Sequence, residues 1–149
     1  MIVADIDAQK RAQAHQMGAV ATIDNAAPDA VKQVMEAIGG GAAAAIDSVG
    51  SPKTMEFDVN ILKKGGKLVM VGLYGGACPI STVLSPLKMM TIEGSYVGTL
   101  EDLKELLALV QAGKVPPIPI ETRPADQASA ALSDLKTGGK VRGRVVLRH

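Results

Sequence analysis

Short apolar segments that alternate with helical segments are the feature that most restricts the fold of this chain. The clearest, KLVMVGL at residues 67–73, is apolar at consecutive positions, as in a parallel strand covered by helices on both faces. Further strands are predicted at residues 2–4, 21–23, 42–47 and 91–97. Such alternation predicts right-handed βαβ units and an α/β, doubly wound parallel sheet.

Cap residues and glycines set the limits of the predicted helices. Ser51-Pro52 and the capping box Thr99–Asp102 each begin a helix, and Asp24 or Asn25 is expected to cap another. Glycines follow the predicted helix ends, as at Gly18 and Gly39. The predicted helices span about residues 7–17, 28–38, 52–64, 99–113 and 125–137, with a short helical turn near residues 85–87.

The pattern changes at Val115-Pro116-Pro117, which reads as a linker. A short strand at residues 118–121, a helix and a final strand at residues 141–147 follow. We therefore expect one domain over residues 1–114 and a separate strand-helix-strand extension over residues 115–149.

Composition narrows the classes of partner. The formal net charge is +1, and no basic block contains aromatic residues, so no nucleic-acid partner is expected. Cys78 is the single cysteine, which rules out an intramolecular disulfide and fits a reducing, cytoplasmic setting. Acidic residues stand near the start where a signal peptide would be basic, and no apolar run is long enough for a membrane span, so no membrane partner is expected.

Asp5 ends the first predicted strand. A carboxylate at this place can accept both ribose hydroxyls of an adenosine and repels a 2′-phosphate, which favours NAD over NADP. An acid that ends a strand is also often a helix cap. Both interpretations are open at the level of sequence.

The dinucleotide fingerprint G-x-G-x-x-G should lie about twenty residues before such an acid. The chain has no room for it, and the glycines at residues 39–41 and 72–76 lack the spacing. A strand beginning at residue 2 is expected to have lost its beginning. The sheet is therefore expected to be truncated at the N-terminus, without its first strand and phosphate-binding turn.

Five segments in order resemble the medium-chain, zinc-type alcohol dehydrogenases. The most specific is TIEGSYVGTLEDLKELLALVQAGKV, which is similar to the sixth strand and last helix of that family's Rossmann-type domain. The other segments are IVADIDAQKRAQAHQMGA, AIDSVG, GGKLVMVGLYGG and LKTGGKVRGRVVL. The resemblance covers nearly the whole chain.

The resemblance implies an NAD site. It implies that the strand of residues 91–97 pairs across a homodimer or higher homo-oligomer, and that residues 115–149 return to a GroES-like catalytic domain. That missing domain would hold zinc. The resemblance also implies that the whole enzyme moves hydride between an alcohol or aldehyde and NAD. Because this chain lacks the zinc-binding domain, it is expected to be inactive alone. The implied cofactor contacts are Asp5 and Lys10 at the adenosine ribose, Val49, Gly50 and Ser51 beside adenine, Gly72 and Leu73 towards the nicotinamide, Ser95, Tyr96 and Val97 at its carboxamide, and Arg142 at the phosphates.

No residue of the chain is assigned to catalysis or to a metal. Cys78, His15 and His149 do not match the family's zinc ligands, and neither tyrosine precedes a lysine at the Tyr-x-x-x-Lys spacing. Ser48 and Ser51 lack a G-x-S-x-G turn, which disfavours a hydrolase. The alternatives are a zinc-free quinone or enoyl reductase-like relative, a non-catalytic dimerising module, and a separate chain that supplies the missing domain.

Overall fold

The computed structural model describes residues 1–138, 140–141 and 143–149. The chain forms two compact units, residues 1–97 and residues 98–149. The first unit contains β1 (Ile2–Ala4), α1 (Ala8–Gln16), β2 (Ala21–Ile23), α2 (Ala30–Ile38), β3 (Ala42–Asp47), α3 (Pro52–Ile61), β4 (Leu62–Met70), α4 (Leu84–Lys88) and β5 (Thr91–Gly94). The second contains α5 (Leu100–Gln111), β6 (Ile120–Pro124), a 3-10 turn (Ala125–Gln127), α6 (Ala128–Thr137) and β7 (Arg144–Arg148).

All strand pairs in the described residues are parallel. The first unit has a two-stranded sheet, β1-β2, and a three-stranded sheet in the order β3-β4-β5. In the second unit β6 pairs with β7, and α6 lies between them along the chain. The α/β, parallel-sheet prediction is thereby confirmed.

The core of the first unit lies between its strands and the helices α2 and α3. Leu62 and Leu68 of β4 are fully buried, and Val34 of α2 and Phe57 of α3 belong to the same apolar cluster. Burial of a leucine side chain contributes about 2 kcal/mol. This cluster holds β4 and α3, and with them the loops at the ends of the strands.

The structure corrects several predicted limits around β4. The helix α3 ends at Ile61 and not at Lys64, and β4 begins at once at Leu62. Its first residues are irregular, because four residues of β4 lie between Leu62 and Lys67, whereas one residue of β3 lies between their partners Ala42 and Ala44. Gly65, at a φ of 75°, allows the chain to turn within this irregular stretch.

Other limits also differ from the predictions. The strands predicted to run to residues 73 and 97 end at Met70 and Gly94, and the final strand lies at Arg144–Arg148. The helix α2 has Asp29 at its N-cap, while the Asp24 carboxylate accepts a hydrogen bond from the Ala26 amide at 2.9 Å. In the described part of the chain, no helix is long and apolar enough to cross a membrane.

Candidate functional site

The three strands of the larger sheet end in register. Asp47, Met70 and Gly94 are aligned across β3, β4 and β5. The segments that follow, residues 48–51, 71–75 and 95–97, therefore begin side by side at the carboxyl edge of the sheet. Ligands of open α/β sheets bind at this edge, so the register brings together most of the predicted site residues.

Asp47 is the residue to which two of these segments are attached. It is 4% exposed, and its Oδ1 accepts hydrogen bonds from the Val49 and Gly50 amides at 2.8 and 2.9 Å. Its Oδ2 accepts one from the Thr54 hydroxyl at 2.8 Å. Its main-chain carbonyl accepts the amides of Val71 and Gly72 at 2.8 and 2.9 Å.

The same two segments, residues 48–51 and 71–75, are joined further along; we call them the paired loops. The Tyr74 amide donates to the Val49 carbonyl at 3.0 Å, and the Gly75 amide to the Gly50 carbonyl at 3.2 Å. A Cβ atom at Gly50 would collide with the Gly72 carbonyl, and one at Gly72 would collide with the Val49 backbone. Glycine is thus required at both predicted positions by the close approach of two backbones.

The helix α3 begins directly after the first of the paired loops. Ser51 and Thr54 form a capping box: the Ser51 Oγ accepts from the Thr54 amide at 3.2 Å, and the Thr54 Oγ1 accepts from the Ser51 amide at 3.0 Å. Pro52 occupies the first turn, as predicted. The Ser51 side chain therefore caps the N-terminus of α3.

Lys88 holds the other end of α3. Its Nζ donates to the carbonyls of Val59, Asn60 and Leu62 at 2.8, 3.2 and 3.1 Å, groups that lie at the helix end and have no partner inside the helix. Burial lowers the pKa of the Lys88 ammonium. The helix α3 is thus fixed at both termini.

Asp58, one turn beyond Thr54 on α3, is a second buried acid. Only 8% of Asp58 is exposed to solvent. Burial, and secondarily the negative charge of Asp47, raises the pKa of Asp58 to about 7. Neither Asp47 nor Asp58 is among the site residues predicted from the sequence, although Asp47 is the last residue of a predicted strand.

Asp5 and Lys10 lie together on the two-stranded sheet and the helix after it. The Asp5 Oδ1 accepts the Asp7 amide at 2.8 Å, and the Lys10 Nζ lies 4.0 Å from the Asp5 Oδ2. The N-cap of α1 is Asp7, whose carboxylate accepts the amides of Gln9 and Lys10. Asp5 is thus not the cap, and its side chain remains partly exposed at the end of β1.

The third segment of the larger sheet, residues 95–97, is held differently. The Ser95 amide donates to the Met70 carbonyl at 2.8 Å, whereas Tyr96 and Val97 are 76% and 81% exposed. Val97 has a φ of 50°, a conformation that branched side chains rarely adopt. Arg142, the predicted phosphate contact, lies outside the described residues.

Among the described residues, no group of three or more His, Cys, Asp or Glu side chains could hold a metal ion.

A cavity of about 210 Å³ lies beside α3, with Glu56, Asn60, Cys78, Ser81 and Leu84 in its walls. It contains none of the predicted cofactor residues.

Known proteins resemble this chain along its whole length. An alcohol dehydrogenase of Geobacillus stearothermophilus is 33% identical over 99% of this chain, and one of Rhizobium meliloti is 36% identical over 97%. A crystal structure of the alcohol dehydrogenase from Aeropyrum pernix matches with a TM-score of 0.89 and 36% identity over 99% of this chain. The chain spans 42% or 43% of the length of these proteins.

The sequence model of the zinc-binding dehydrogenase family matches residues 1–112. The fold agrees, since parallel strands alternate with helices and the alcohol dehydrogenase from Aeropyrum pernix aligns with nearly all of this chain. With this match and with relatives above 30% identity over nearly all of its residues, the chain belongs to the zinc-binding dehydrogenase family, among the medium-chain alcohol dehydrogenases.

Proposed function

We propose that this chain is the NAD-binding portion of an alcohol dehydrogenase-like oxidoreductase that moves hydride between an alcohol or aldehyde and NAD, and that this portion alone is inactive. The observation that carries the proposal is the shared carboxyl edge, where the paired loops are fixed backbone to backbone. A relative from Sulfurisphaera tokodaii, 33% identical over 99% of this chain, is named an NAD-dependent alcohol dehydrogenase.

The proposed roles follow the chemistry of each group. The Asp5 carboxylate accepts the adenosine ribose hydroxyls, and Lys10, at 4.0 Å, balances its charge. The backbone of residues 49–51 would lie beside adenine, and Gly72 and Leu73 would lie towards the nicotinamide. Ser95, Tyr96 and Val97 offer backbone groups to the carboxamide, and the Arg142 guanidinium suits the phosphates.

The described residues do not fit zinc, because no cluster of ligands occurs among them. We therefore assign the chain no zinc-dependent step. NAD, when bound, supplies a hydride acceptor. The residues named above would bind and orient it, and the alcohol and its zinc would be held by the part of such an enzyme that this chain does not match.

Asp5→Ala tests the ribose assignment. We expect NAD affinity to fall about tenfold or more, as for a lost charged hydrogen-bond partner, and NADP affinity to fall less. Calorimetric titrations should use this chain and a version extended upstream through the expected strand and glycine turn. Asp7→Ser is the matched control, since it removes a neighbouring charge but keeps an N-cap. Equal losses for both cofactors would contradict the assignment.

A dimerising module is the second candidate function, and the edge position of β5 favours it. Thr91–Gly94 pairs with β4 on one side and is exposed at every residue. An unpaired edge favours strand addition by a second copy. Light scattering that shows a dimer, with a melting temperature unchanged by NAD, would support this alternative.

Asp5 also bears on the alternative of a zinc-free reductase. A zinc-free quinone or enoyl reductase-like protein that prefers NADPH would be disfavoured by the Asp5 carboxylate. A cytoplasmic location, suggested by the single cysteine, belongs to the same proposal.

A further inference from the structure

We propose that Asp47 is the positioning residue that fastens the paired loops to each other, so that cofactor affinity depends on it although it does not touch the cofactor. The link to affinity rests on the proposed function. The fastening itself rests only on the geometry of residues 47–54 and 71–75.

The two sets of hydrogen bonds on Asp47 point to this role. Its carboxylate binds its own loop through the Val49 and Gly50 amides and binds α3 through the Thr54 hydroxyl. Its carbonyl binds the other loop through the Val71 and Gly72 amides. A buried carboxylate is costly unless it is hydrogen-bonded, and here both oxygens have partners.

Loss of the Asp47 carboxylate should loosen both of the paired loops. The Val49 and Gly50 amides would lose their acceptor, and residues 48–51 would be free to move. The Tyr74 and Gly75 amides depend on the carbonyls of the same two residues, Val49 and Gly50. A purely local cap would loosen residues 49–54 alone, whereas a fastening residue loosens residues 74 and 75 as well.

Substitutions on the chain separate these roles. Asp47→Ala removes all three side-chain bonds. Asp47→Asn keeps Oδ1 for the loop amides, and its Nδ2 can donate to the Thr54 oxygen, which in turn can donate to the Ser51 carbonyl at 3.0 Å. Thr54→Val removes the Oδ2 bond and the capping box but leaves the Oδ1 bonds in place.

Amide hydrogen exchange on the 149-residue chain is the deciding experiment. In Asp47→Ala we expect the protection of the Tyr74 and Gly75 amides to fall at least tenfold relative to the amides within β4. Asp47→Asn should restore it, and Thr54→Val should affect only the start of α3. Unchanged protection at residues 74 and 75 in Asp47→Ala would overturn the proposal. If Asp47→Ala does not fold, Asp47→Ser takes its place, because one hydroxyl cannot serve both the loop amides and Thr54.

NAD titration of the same variants, in the upstream-extended chain, tests the consequence for the cofactor. We expect affinity to fall about tenfold in Asp47→Ala and by less than about threefold in Asp47→Asn. Loosened loops with unchanged NAD affinity would overturn the link to the cofactor. If the wild-type chain binds no NAD in either form, the proposed function fails, and amide exchange still decides whether Asp47 fastens the loops.

Discussion

The paired loops and the segment of residues 95–97 follow neighbouring strands in register, yet they are held in opposite ways. The paired loops share backbone hydrogen bonds, a buried carboxylate and two glycines that admit no side chain. In residues 95–97, the Ser95 amide is bonded to β4, while Tyr96 and Val97 extend into solvent and Val97 has a positive φ.

The difference bears on how a site of this kind binds its ligand. A ligand that meets loops already fixed loses little affinity to ordering, because the ordering was completed when the chain folded. A segment that is exposed and strained can adjust, but any ordering on binding reduces the affinity. We therefore expect substitutions in the paired loops to damage folding and binding together, and substitutions in residues 95–97 to leave folding nearly intact.

Gly72→Ala should give the largest effect. The new methyl group would collide with the Val49 backbone, which is itself bonded to Tyr74 and Asp47 and cannot move alone. We expect the free energy of unfolding to fall by about 3 kcal/mol or more, measured by urea denaturation. NAD binding by the extended chain should be lost with it.

Gly94→Ala, at the end of β5, is the matched control. A Cβ atom there would have no atom within 4 Å, and its φ is not positive. Its stability should stay within about 0.5 kcal/mol of the wild type. If Gly72→Ala were equally harmless, the two loops would not be held in contact, and the contrast between the two regions would be wrong.

Asp58→Asn should change the pH dependence of stability. The pKa of Asp58 is raised from 3.8 to about 7 in the folded state, so the folded chain binds more protons than the unfolded chain between these values. Stability from this group is therefore full below about pH 4 and falls as the pH rises to about 7. Between pH 5 and pH 8 the loss should be about 2–3 kcal/mol in the wild type.

The isosteric amide in Asp58→Asn has no charge to bury, so this loss should vanish. Urea denaturation of both proteins at pH 5 and pH 8 gives the comparison. Asp126→Asn, at an exposed position in the second unit, is the control for general charge effects. Parallel pH profiles for wild type and Asp58→Asn would show that the Asp58 carboxyl group is not desolvated in the folded chain.

The sequence predicted the fold because its signals are local. Alternating apolar runs and the capping residues Ser51 and Thr99 define βαβ units without knowledge of any distant contact. The end of α3 was misplaced because Gly65-Gly66 looks like a helix stop but lies within β4. Such an irregular stretch depends on how β4 pairs with β3, which local sequence does not encode.

The site could be predicted only in part for the same reason. Asp5 was visible as an acid that ends a strand, and the same rule applied to β3 would have selected Asp47. The contact between Gly50 and Gly72, by contrast, joins residues far apart in the sequence, and only the strand register brings them together. The raised pKa of Asp58 likewise follows from burial, which its neighbours in the sequence do not reveal.

Substitutions of Val97, in the segment of residues 95–97, should give the smallest effect on stability. At a φ of 50°, glycine is unstrained, while alanine keeps most of the cost of a Cβ atom. We expect Val97→Gly to be about 1 kcal/mol more stable than Val97→Ala in urea denaturation. The same pair of substitutions at Val71, in the paired loops and not at a positive φ, should rank in reverse, because there glycine only adds flexibility to the unfolded chain. If alanine were the more stable replacement at Val97 as well as at Val71, Val97 would store no backbone strain, and that part of the contrast between the two regions would be wrong.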